Sequence, residues 1–148
     1  MATTFRADIR AGMVTAVQAF ITANPTLLYA VHTARPTTFA GDMPFAYIDL
    51  LTERATHSSG IRTRELRPSI VVVARPLDNA QQVVAWDILV DKLADHFTSY
   101  AHLAPSTVWD RWTVTEDTEK IQTAPESVRI FPSVRFTFEN VSIGEGRA

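Results

Sequence analysis

The chain has 148 residues, 46% hydrophobic and 20% charged, with a net charge of -2 and a pI near 6.1. That is enough for one domain with its own core, too little charge for a disordered chain, and no general attraction for nucleic acid or an anionic membrane. Cysteine is absent, which excludes disulfides, thiol catalysis and thiolate metal sites. The opening MATTFRADIRAGM carries charge where a secretory signal needs an apolar stretch, and no run approaches the ~20 apolar residues of a membrane span. The expectation is a protein made in a cytoplasm, with no membrane partner.

The first element is an amphipathic helix from about Thr4 to Ala23, because Phe5, Ile9, Met13, Ala16, Val17 and Phe20 recur every three or four residues. Asn24-Pro25 stops it. Leu27 to His32 reads as a short strand, Arg35 to Pro44 as a loop, and Phe45 to Leu51 as a second strand. A polar stretch, RATHSSGIRTREL (54–66), follows. Ser69 to Ala74, SIVVVA, is continuously apolar and β-branched, the mark of a central strand covered on both faces. Asp78 and Gln81 have the spacing of a capping box, and Val83, Trp86, Val90, Leu93, Phe97 and Tyr100 then form one stripe, giving a helix to about Tyr100. Alternation over 108–115 marks another strand, EDTEKIQTAPES a turn region, and VRIFPSVRFTFENVSI the last strand or pair. The apolar phase slips to Val141 and Ile143, which suggests a bulge or bend near Glu139-Asn140.

The order helix, three strands, helix, two or three strands gives an α+β domain: a single mixed or antiparallel sheet with both helices on one face. Strands on either side of 54–66 need only two to five residues to join them. The surplus either lengthens both strands into an extended hairpin arm or forms a loop arm.

No metal or catalytic motif stands out. His32, His57, His96 and His102 have no i, i+4 partner, and no HExxH, nucleophile elbow, Walker loop or dinucleotide fingerprint is present. No cofactor and no catalytic residue is expected. Two sets of residues ask for another explanation. Val84 and Ile88 form an i, i+4 apolar pair off the main stripe of the second helix, beside an acidic row of Asp87, Asp91 and Asp95. They read either as a solvated face or as a contact surface for a neighbouring subunit. Arg54, Arg62, Arg64 and Arg67, in and after the polar stretch, are either solvated or set against an acidic surface of another copy, such as that row.

The pattern carried by FRADIRAGMVTAVQAFITANP, RPSIVVVAR, DNAQQVVAWDILVDKLADHF and VRFTFENV resembles the tail terminator family of long-tailed bacteriophages, the λ-type tail-completion proteins. The resemblance covers nearly the whole chain in order, size and pattern. It implies a structural virion protein, made in the host cytoplasm, that forms a homo-oligomeric ring, typically a hexamer. The ring caps the head-proximal end of the tail tube, ends addition of the major tail protein and joins the tail to the head connector. Genomic DNA passes through its lumen without specific binding, and catalysis and cofactors are not implied. The alternatives are another neck protein, a stopper or adaptor, and a small cytoplasmic α+β enzyme. The last would need a pocket uniting distant residues such as His32, Asp49 and His102.

Overall fold

The computed structural model describes residues 5–37, 39, 43–58, 61–103, 109, 111–124, 127–139 and 141; for residues 5, 50–58, 61–66, 101–103, 122–124 and 127 it describes the backbone alone. The elements are α1 (Phe5–Ala23), β1 (Ala30–His32), β2 (Phe45–Ser58), β3 (Ile61–Val73), α2 (Ala80–Leu103), β4 (Arg111–Ala124) and β5 (Ser127–Glu139). The strands form one five-stranded sheet in the order β1-β2-β3-β5-β4. β1 lies parallel to β2, and every other pairing is antiparallel. The fold is α+β with a mixed sheet and two helices, as the order of periodic segments predicts.

Strand alternation divides the side chains between two faces. Ala46, Ile48, Ile70, Val72, Val134, Phe136 and Phe138 face the helices and pack against Ile9, Met13, Val17 and Phe20 of α1 and Trp86, Leu89, Leu93 and Phe97 of α2. Aromatic rings fill the α2 side: the Phe97 ring stands edge-on to Phe136 and Phe138 at 5.0 and 5.1 Å, with Trp109 closing the cluster. On the opposite face Phe45, Tyr47, Val71, Val73 and Phe131 form a second, smaller buried group, covered by Phe39 and Met43 of the segment between β1 and β2. The run SIVVVA therefore lies at the centre of the sheet with both faces covered, since Ile70, Val71, Val72 and Val73 are all buried.

The helix ends follow from local chemistry. The Asn24 amide donates to the Phe20 carbonyl at 2.9 Å, ending α1 where Asn-Pro predicts a stop. α2 is capped one residue later than the sequence spacing suggests. The Asn79 side chain accepts from the Gln82 amide at 2.9 Å, and Gln82 Oε1 reaches back to the Asp78 and Asn79 amides. The reciprocal box is thus Asn79–Gln82, not Asp78–Gln81, because Asn79 is the residue immediately before the first helical turn. α2 also continues past Tyr100 to Leu103.

Two strands depart from expectation. β1 begins only at Ala30. The span 116–124, expected as a turn region, is the second half of β4 and pairs with β5 from Glu116↔Val134 to Ala124↔Ser127. Of the two readings of the polar stretch, the lengthened hairpin is the one observed: residues 54–58 and 61–66 are strand, and β2 and β3 stay in register from Thr52↔Arg67 to Ser58↔Ile61. Register breaks fall at Leu50/Thr52 and Gln122/Ala124; Asn140, Ile143, Val108 and Asp110 lie outside the described residues.

Because β3 pairs with β5 only over Ser69–Val73 against Ser133–Thr137, each hairpin runs on alone past the common part of the sheet. Residues 52–58 and 61–67 form a two-stranded ribbon at one end, and 118–124 and 127–132 form another at the opposite end.

Candidate assembly surface

The outer side of α2 is where apolar surface is left in water. Trp86, Leu93 and Phe97 of its inward stripe are consumed by the core, but Val83, expected to open that stripe, lies in the first turn and is 43% exposed, and Val84 and Ile88 off the stripe are 56% and 43% exposed. Val84 and Ile88 form a shallow apolar patch with Ala80, Gln81 and Ala85. The sheet adds to it. Val114, Val128 and Ile130 sit at the same alternate positions as Phe136 and Val134, on the helix-bearing face, but α2 does not reach over them and they are 46%, 56% and 53% exposed. Singly, such residues are ordinary; six on one side of one small domain are not.

Carboxylates flank this surface. Asp87 and Asp91 line a groove of about 320 Å³ between α2 and β4, together with Val90, Val114 and Glu116. Asp95 does not join them. It borders a separate depression between the helices with Phe20, Asn24, Lys92, His96 and Ser99. The acidic row therefore divides, with Glu116 of β4 taking the place expected of Asp95. That substitution was hidden in the sequence because Glu116 falls in the span read as a turn.

The arginines divide too. Arg67 is exposed, and its charge, with that of Arg111, acts on Glu139 of the same chain. Arg111 donates to Glu139 through Nε at 2.7 Å and Nη2 at 3.2 Å, which holds the Glu139 carboxyl below the ordinary carboxylate range. Arg54, Arg62 and Arg64 have their backbones in the β2–β3 ribbon, and their side chains lie outside the described residues.

The face away from the helices carries a polar network that crosses the sheet. Tyr47 Oη donates to Glu119 at 2.7 Å, and the Arg35 guanidinium donates to the same carboxylate at 2.9 Å and to the Lys120 carbonyl at 3.2 Å. Burial, then the bond to Glu119, pushes the Tyr47 phenol well above its usual range, so it stays a donor. Arg135 and Asp49 pair at 3.0 Å across β3, and the Ser69 and Thr137 hydroxyls share a bond of 3.1 Å. Asp49 is thus engaged with an arginine rather than gathered with histidines. His32 packs edge-on against Phe45, and the His102 side chain lies outside the described residues. His96 is half-buried between the helices, its Nε2 2.8 Å from the Ala16 carbonyl, with burial lowering its pKa.

A cleft of about 240 Å³ beside the start of α2 is lined largely by apolar groups, among them Leu27, Tyr29, Leu77, Trp86 and Leu89, with Arg75 at its border. Among the described residues no cluster of histidine and carboxylate side chains has the arrangement of a metal site, and no helix is long and apolar enough to cross a membrane. No family model matches the chain, and no curated protein is significantly similar to it.

Proposed function

We propose that the protein is a structural virion component that assembles with copies of itself into a ring, typically of six, on the head-proximal end of a phage tail tube. There it ends polymerisation of the tube protein, presents a docking surface to the head–tail connector and leaves a lumen for DNA. It has no catalytic role and holds no cofactor. The observation that carries self-assembly is the set of exposed apolar residues on α2 and the helix-bearing face of the sheet, Val83, Val84, Ile88, Val114, Val128 and Ile130, with Val114 set beside the carboxylates of Asp87, Asp91 and Glu116. Apolar surface bordered by charge is what a specific subunit contact needs, the first for affinity and the second for register. The place of the ring at a tail end is supported by the resemblance of the helix, strand and link pattern to tail terminators.

The test is negative-stain microscopy and light scattering of the purified protein, alone and mixed with polymerised tail tubes. Rings of uniform diameter, or a cap at one end of the tubes, are expected. A monomer that leaves tube length and ends unchanged would overturn the proposal. Binding to portal-bearing heads in place of tubes would move the protein to the stopper or adaptor position.

A further inference from the structure

The sheet has two backbone edges with no neighbouring strand among the described residues. β4 pairs with β5 along its length and with nothing on its other side. β2 is covered by β1 only over Phe45–Tyr47, and Arg10 donates to the next carbonyl, that of Ile48, at 3.0 Å. From Asp49 to Ser58 the outer edge of β2 has no strand beside it. A long unpaired edge is a template for another strand, and proteins blunt it with proline or bulges where it must stay single. β4 has no proline in its 14 residues, and its register is unbroken from Arg111 to Gln122; β2 has one irregularity, at Leu50/Thr52, and runs on in register from Thr52 to Ser58.

We infer that β4 of one copy adds to the free edge of β2 in the next, so that the subunits of the ring share one continuous sheet. This rests on the ring reading above and names its joint. Three features select a second copy, in this orientation, as the occupant.

Direction is the first. β2, β3, β5 and β4 alternate up and down, so a neighbour placed at the β4 edge meets it with an antiparallel β2, the more stable pairing. Charge is the second. The β2–β3 ribbon, 52–67, holds four arginines against two glutamates, with Arg54 on β2 and the others on β3, whereas β4 carries Glu116, Asp117 and Glu119 against Arg111 and Lys120 and borders Asp87 and Asp91. Two β4 edges meeting each other would oppose like charges, which disfavours a symmetric pair.

Offset is the third. With β1 and Arg10 holding the edge up to Ile48, the incoming strand pairs only beyond that point, and each copy must slide along the strand direction relative to the last. Closed barrels demand such a slide. Strands tilted by roughly 35–45° and spaced about 4.8 Å apart displace a four-strand unit by roughly 13–19 Å, or about four to six residues. That brings residues 111–117 of one copy opposite residues 49–58 of the next.

Engineered thiols test this without background, because the chain has no cysteine. Within one copy β2 and β4 are three strand spacings apart, roughly 14 Å, beyond the reach of a disulfide. Two double variants, T52C/T115C and T56C/T113C, bracket the offset. Oxidation of the assembled protein is expected to give a ladder of covalent multimers on a non-reducing gel from at least one of them, while T56C and T115C alone stay uncross-linked. Circular dichroism checks that the fold is kept. Multimers by light scattering with no ladder, even when Arg54→Cys is paired with T113C, T115C or Asp117→Cys, would sink the joint and leave the ring standing. Dimers from T115C alone would replace it with a β4–β4 contact. No multimer and no cross-link at the highest soluble concentration, alone or on tail tubes, would remove both.

Discussion

The two faces of the sheet are held by different physics. Beneath the helices the core is apolar, with Phe97 edge-on to Phe136 and Phe138, Trp109 tilted against Phe138, and no charged side chain among the described buried residues. On the other face, among the described residues, the buried apolar side chains are Phe45, Tyr47, Val71, Val73 and Phe131, joined by Ser69 and Ser133, and the span beyond them is closed by charge: Arg35 and Tyr47 on Glu119, and Arg135 on Asp49. The first face supplies most of the hydrophobic stabilisation, which scales with apolar area removed from water. The second fixes the segment that lies across it, because Arg35, Phe39 and Met43 all come from between β1 and β2.

Truncation sharpens that contrast. Phe97→Ala is expected to cost about 3–5 kcal/mol in denaturant unfolding, since it opens a cavity walled by rings that cannot close around it. Phe131→Ala is expected to cost less, about 2–3 kcal/mol, because Phe39, 5.3 Å away, belongs to a covering segment able to settle into the space. Equal losses would show that the second face is as rigid as the first. Tyr47→Phe removes one donor to Glu119 but leaves Arg35 on it, so a loss of about 1–2 kcal/mol is expected in the same assay.

A smaller effect is expected from His96, the titratable group set between the helices. Its folded-state pKa lies below the unfolded value, so the folded protein binds fewer protons, and the stabilising contribution is lost as pH falls below about 6.5. A His96→Gln variant is expected to show a flatter melting-temperature profile than the parent between about pH 7.5 and 5.5. Parallel profiles would show that the acid sensitivity lies elsewhere. Finally, V84D/I88D is expected to change stability by no more than about 1 kcal/mol while lowering the oligomer fraction measured by light scattering, because both side chains already meet water.

Much of this was legible in the residues themselves. The stripes of α1 and α2 and the apolar run of β3 follow from periodicity that burial alone dictates. The exposure of Val84 and Ile88 follows in the same way from their position off the stripe. The second half of β4 did not, because in Glu116-Asp117-Thr118-Glu119-Lys120 the covered face is closed by charge, Glu119 under Tyr47 and Arg35, so burial imposes no apolar alternation on it. Val114, Val128 and Ile130 escaped for the opposite reason. Their alternation is regular and reads as inward, and a single strand holds no record of where the overlying helix stops. The cap moved by one residue because Asp78 and Asn79 are both good caps, and only the Gln82 side chain decides between them.

The two hairpins that outrun the sheet leave it at opposite ends, one with four arginines to two glutamates over 52–67 and the other with two acids to two bases over 118–132. Any cyclic array of such units resembles a washer whose upper and lower surfaces differ in charge. A partner stacking on it meets either a cationic crown or a balanced one. The way up is then written into the backbone's own geometry, before a single partner-specific contact is made.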